Sequence, residues 1–170
     1  MRPKTVHATI SSPTNIAVIK YWGKRDAKVN TPINSSVSLT LNQRDLRTLT
    51  TVPASTEFAK DQLWLNGDEE DLPANKRMVT VLREVRARGG DLKDAKGNVL
   101  VAKSEWAKLH VRVVSMNNFP TAAGLASSAA GYAALTFALA ELMAVKESYP
   151  GELSTIARQV RPPARSRAAL

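Results

Sequence analysis

Residues 118–131, NFPTAAGLASSAAG, are the stretch whose residue types and spacing best suit a chemical task. An alternating run from Leu109 to Val113 precedes it and an alanine-rich helical pattern follows, so it reads as a strand-to-helix loop. Gly124 and the flanking alanines permit close approach of the backbone to a ligand, and Ser127 and Ser128 fall where a helix begins. The first turn of a helix carries unpaired N–H groups and the positive end of its dipole, which favour an anion such as phosphate. The same serines would serve a plain N-cap, and the loop alone leaves both readings open. A second concentration of chemistry is Lys20, Lys24 and Arg25 beside Tyr21 and Trp22. A solvated strand edge with snorkelling lysines would explain it equally. Arg77, in the first turn of a helix expected from Asn75 to Arg88, is marked as free to reach a ligand.

Other chemistries are excluded by what the sequence lacks. No G-x-x-x-x-G-K-[ST] and no G-x-G-x-x-G occurs, which removes the Walker loop and the dinucleotide fingerprint. His7 and His110 stand alone in strand-like runs, leaving little for a metal cluster or a Ser-His-Asp triad, and Ser127 and Ser128 lack the G-x-S-x-G elbow. No metal ligands are assigned. With no cysteine there is neither a disulfide framework nor a thiolate, which fits a reducing compartment. No apolar run approaches a membrane span, and the expectation is a soluble, cytoplasmic protein. The net charge of +9 favours anionic partners, with nucleic acid, membrane surface and phosphorylated small molecules all qualifying.

The elements that must position these residues follow from periodicity. Thr5 to Ile10 alternates as a first strand and Ser11-Ser12-Pro13 breaks it; Asn15 to Trp22 is a second strand and Val37 to Leu41 a third. Leu46 to Val52 and Leu63 to Leu65 follow, the latter running into the turn signal Asn66-Gly67. This part reads as a β-meander with one apolar face. Met78, Val81, Leu82 and Val85 then fall at helical spacing, their helix bearing a solvated charged face and ending at Gly89-Gly90. Asp91 to Asn98 is expected to be a mobile polar loop, Tyr132, Leu135, Leu139 and Leu142 mark a second helix, and Gly151 to Arg158 a short third. Residues 160–170, VRPPARSRAAL, have no acid and no periodicity and are expected to be disordered. Their three arginines account for a third of the net charge, which is +6 without them (9 − 3).

The pattern P-x-x-x-G-L-x-S-S-A-A at Pro120 to Ala130 resembles the phosphate-binding motif of the GHMP kinase superfamily. More narrowly, NIAVIKYWGKRD at Asn15, PINSSVSLTL at Pro32, WLNG at Trp64 and NNFPTAAGLASSAAGYAAL at Asn117 resemble the diphosphomevalonate decarboxylase family, collinearly from about residue 5 to residue 159. The resemblance implies an α+β, ribosomal S5 domain 2-like N-terminal domain over residues 1–159. It implies ATP-dependent decarboxylation of 5-diphosphomevalonate to isopentenyl diphosphate, with magnesium accompanying the ATP. Tyr21, Trp22, Gly23 and Lys24 would line the diphosphomevalonate site, Arg77 would add a contact, and Asn15 and Lys20 would sit beside them. Lys20 is the one candidate for a catalytic role. Pro120, Gly124, Leu125, Ser127 and Ser128 would hold the nucleotide phosphates. Many phosphate charges meeting at one place need fixed cations and oriented N–H donors, because phosphoryl transfer is chiefly positioning and charge stabilisation.

Family members continue beyond the position of Gln159 with a second half that bears an arginine for the substrate carboxylate and an aspartate near the tertiary hydroxyl. Here Gln159 is followed by the basic tail. Asp68-Glu69-Glu70-Asp71, Asp91 and Asp94 offer no substitute base, being a charge run after a turn and a polar loop. The expectation is an impaired or inactive chain, in which a family-like homodimer is doubtful. The alternatives are a non-catalytic phosphate-ligand or partner-binding fragment and, less favoured, a nucleic-acid binder, for which aromatic stacking positions are few.

Overall fold

The computed structural model describes residues 5–20, 22–26, 31–120 and 127–158. The expected disorder of residues 160–170 and the expected roles of Tyr21, Gly124 and Leu125 lie outside these described residues. Five strands form the main sheet: β1 (Thr5–Pro13), β6 (Arg47–Ser55), β7 (Gln62–Leu65), β8 (Asp68–Glu70) and β11 (His110–Asn117), in the order β1-β6-β11-β7-β8. β11 lies antiparallel to β6 and parallel to β7. Alternation along β6 and β11 buries Val52, Ala54, Val111 and Val113 on one face. Three helices take part in covering the sheet: α1 (Lys76–Arg88), α2 (Ser127–Leu142) and α3 (Glu152–Arg158), with α2 laid across β1 and β6 and packed against both α1 and α3. Met78, Val81, Leu82 and Val85 of α1 and Leu135, Leu139 and Leu142 of α2 are buried, as their spacing requires.

The meander is corrected. β2 (Asn15–Ile19) and β5 (Val37–Thr40) leave the main sheet and pair with each other as a separate ribbon, and β3 (Lys24–Asp26) pairs with β4 (Thr31–Pro32). Alternation marks a strand without saying which partner it takes. β1 continues through Ser11-Ser12-Pro13 because it is an edge strand, where a proline without an N–H is tolerated. The loop expected at Asp91 to Asn98 is a hairpin, β9 (Leu92–Lys93) with β10 (Val99–Val101). Its turn is closed by Asp94, whose carboxylate accepts from the backbone N–H groups of Lys96 and Asn98.

The polar face of α1 is also not the solvated one expected. Arg86 makes a bidentate pair with Asp61 at 2.7 Å, and Arg88 meets Glu152 at 2.7 Å and Glu84 at 2.8 Å. Burial would raise the Asp61 carboxyl, but the hydrogen bonds from Arg86 and the Val111 N–H and the charge of Arg86 outweigh it and hold it below its ordinary value. Glu152 receives the Ser148 N–H, Arg88 and the Ser148 hydroxyl, which together bring its pKa down to about 2. These carboxylates clamp α1 to the sheet and to α3.

Candidate nucleotide and diphosphate site

α2 is described from Ser127 onward, so Ser127 and Ser128 lie at the N-terminal end of its described residues, the end toward which the positive pole of the helix dipole points. They open onto a cavity of about 360 Å³. Its floor is apolar, with Leu63, Leu65, Val113 and Leu135, and its rim includes Asn66, Asn117, Asp68 and Glu70. The hairpin between β7 and β8 sets that rim. Asn66 and Gly67 both have positive φ, 53° and 101°, the geometry of a tight two-residue turn. The turn places Asp68 opposite Leu65 and Glu70 opposite Leu63. Because directly opposed residues share a face, the two carboxylates are carried to the cavity along with the two leucines. Asp68 and Glu70 are therefore site residues that the acidic run concealed; the register of the WLNG turn is the signal that reveals them.

Asn66 also ties the hairpin to the loop strand, its Oδ1 accepting the Asn117 N–H at 2.8 Å. Asn118 anchors the loop's start, donating to Asp45 O at 2.7 Å and accepting from the Arg47 N–H at 2.8 Å. Pro120 is exposed and is the last described residue before Ser127.

The second group of expected residues sits apart from this cavity's lining. Asn15 donates to Thr40 across the ribbon at 3.2 Å. Lys20, Trp22 and Lys24 are exposed, Trp22 at 88%. Asn34 organises their loop, its Oδ1 accepting the Trp22 N–H at 3.1 Å and its Nδ2 donating to Lys20 O at 3.5 Å, while Gly23 O accepts from Ile33 N at 3.1 Å. Asn34 was hidden among the polar residues of PINSS, where nothing in its type separates a loop organiser from a solvated amide. Arg77 is not free: its Nε donates to Ala157 O at 3.1 Å, its Nη2 donates to the same oxygen, and its guanidinium lies 3.7 Å from the centroid of the Tyr132 ring. The carbonyl it meets belongs to the last turn of α3, where backbone acceptors are left over.

Residues 12–167 match the family model of the diphosphomevalonate decarboxylase-like N-terminal domain. The chain belongs to that family. It is 53% identical over 159 residues to the diphosphomevalonate decarboxylase of Schizosaccharomyces pombe, an alignment covering 94% of this chain and 39% of that one. The mevalonate diphosphate decarboxylase of Trypanosoma brucei has a similar structure, with a TM-score of 0.73 and 35% identity over 90% of this chain and 37% of that one. A third relative, the protein MDDEF in complex with MVAPP, AMPPCP and magnesium, gives a TM-score of 0.66 and 35% identity over 92% of this chain and 42% of that one. The chain thus spans about two-fifths of the length of these relatives. The expected α+β, GHMP-kinase-type N-terminal fold is the fold observed.

Proposed function

We propose that this chain forms the ATP- and substrate-binding half of a diphosphomevalonate decarboxylase, a carbon–carbon lyase of isoprenoid and sterol biosynthesis. The observation that carries the reading is the opening of Ser127 and Ser128, at the start of α2, onto the cavity floored by Leu63, Leu65, Val113 and Leu135. An apolar floor suits a flat base, the Asp68 and Glu70 carboxylates suit hydroxyl or amino donors, and the helix start suits the polyphosphate. Magnesium takes oxygen ligands, and the Ser127 and Ser128 hydroxyls at the cavity are oxygens that would hold it together with the ATP; when bound it would neutralise charge on the phosphates. Trp22, Gly23 and Lys24, with Lys20 and Asn15 beside them, would receive the diphosphate of 5-diphosphomevalonate, and Arg77 would add a cation.

In the reaction the tertiary hydroxyl takes the terminal phosphoryl group of ATP; phosphate and carbon dioxide then leave and isopentenyl diphosphate remains. Cytoplasmic location belongs to the same proposal; among the described residues no helix is long and apolar enough to cross a membrane. Residues 1–170 alone should release no carbon dioxide above background, because positioned acid–base groups typically contribute about a hundred- to ten-thousand-fold and the cavity carboxylates Asp68 and Glu70 serve as acceptors for hydroxyl or amino donors and not as the base. The test compares labelled carbon dioxide release by this chain and by a version extended with a family-type second half. Turnover by the extended version alone supports the reading. Comparable turnover by both would show that these residues hold a complete site, and none by either would refute the assignment.

A further inference from the structure

The four arginines of α1 are not held alike. Arg83 meets Glu84 at 3.5 Å, Arg86 meets Asp61 and Arg88 meets Glu84 and Glu152. Arg77 alone of the four has no carboxylate partner among the described residues. It is half-buried, and burial lowers its pKa somewhat, yet it is supported only by a backbone carbonyl and the face of a ring. These two supports have a property that an acid lacks. A carboxylate would neutralise the guanidinium; a carbonyl dipole and an aromatic quadrupole fix its place and leave its charge available. Nε and Nη2 are turned to Ala157 O, and Nη1 has no partner among the described residues.

The ring itself is held with similar care. The Tyr132 hydroxyl donates to Asn75 Oδ1 at 2.9 Å, and the same oxygen accepts the Met78 N–H at 3.1 Å as the N-cap of α1. Burial raises the Tyr132 pKa, so the phenol stays neutral and remains a donor. Tyr132 lies one helical turn after Ser128, and both border the cavity. A single carboxamide therefore joins the start of α1, which bears Arg77, to the first turns of α2, which bear the anion-binding serines.

We infer that Tyr132 is a positioning residue for Arg77. Its ring is the platform that sets the guanidinium beside the phosphate-binding helix; the Asn75 carboxamide is a secondary tether, and the ring is held in the main by its own burial. The inference rests on the reading of Arg77 as a diphosphate contact. Its consequence is that the ring acts on the diphosphate only through Arg77.

Calorimetric titration of diphosphomevalonate into this chain, with ATP titrated in parallel, tests it. Arg77→Ala and Tyr132→Met should each weaken diphosphomevalonate binding by about ten-fold, of the order a desolvated cation–ring contact allows. The double variant should bind no more weakly than Arg77→Ala. Tyr132→Phe, which keeps the ring, should retain most of the affinity, and it keeps the test open where Tyr132→Met does not fold. Additive losses in the double variant, a Tyr132→Met chain with wild-type affinity, or a ten-fold loss in Tyr132→Phe would each overturn the role of Tyr132. A wild-type chain that binds ATP and no diphosphomevalonate would instead refute Arg77 as a ligand contact, and the role of Tyr132 with it.

Discussion

The helix-covered body and the β2–β5 ribbon are built from the same kind of alternating apolar sequence and end in opposite environments. In the body, Val52, Val85, Val111 and Leu139 are 0–1% exposed. In the ribbon, Val18, Ile19, Val37 and Leu39 are 50–60% exposed. The difference lies in what covers each strand. β6 and β11 have α2 on one face, with α1 packed against α2, whereas the ribbon's apolar side chains stay exposed among the described residues. The body therefore carries the stability of the chain, and the ribbon with its loop at Lys20 to Lys24 carries binding chemistry on a thin support.

That division is broken or sharpened most strongly by paired truncations. Leu139→Ala should cost about 2–5 kcal/mol in urea unfolding, whereas Leu39→Ala in the ribbon should cost about 0.5 kcal/mol or less. Equal losses would show that the ribbon is packed in solution. Next in size is Asp61→Ala, which strands Arg86 and removes the acceptor of the Val111 N–H. A loss of about 2 kcal/mol is expected by the same assay, since an abandoned partly buried partner costs more than the pair contributes. A variant as stable as the wild type would show the clamp to be idle.

Glu152 gives the body a pH signature. Its carboxyl is depressed from 4.5 to about 2, so its contribution is complete above pH 4.5 and is lost as pH falls toward 2. Glu152→Gln should be less stable than the wild type at neutral pH, and the gap should close across that window in pH-stepped melts. A constant gap would assign the effect to packing. The smallest expected change is in the ribbon's loop: Lys24→Ala should leave the melting temperature within a degree or so while weakening diphosphomevalonate binding, because an exposed lysine contributes little to a core. A large fall in melting temperature with unchanged binding would reverse the division.

The legible and illegible parts of the sequence divide by whether the signal is local in the chain. α1 and α2 were readable because a helix buried on one stripe repeats its apolar residues at a fixed spacing, as at Met78, Val81, Leu82 and Val85. The separation of β2 and β5 from the main sheet was not readable, since alternation carries no record of the partner. The arrival of Asp68 and Glu70 at the cavity depended on the turn's register, and the capture of Arg77 by Ala157 joins residues 80 positions apart. The pairing of Arg86 and Arg88 is not legible because their acids, Asp61 and Glu152, lie 25 and 64 positions away in the chain.

The central claim, that the start of α2 binds the phosphates of a nucleotide, is tested most directly by calorimetric titration of magnesium-ATP into the wild-type chain and Ser128→Glu. A carboxylate at the helix start would occupy the unpaired N–H groups and repel the phosphates, so the variant's affinity should fall about ten-fold or more at low salt with the melting temperature preserved. Equal affinity in the two chains would contradict the claim and leave Ser127 and Ser128 as a cap and nothing further.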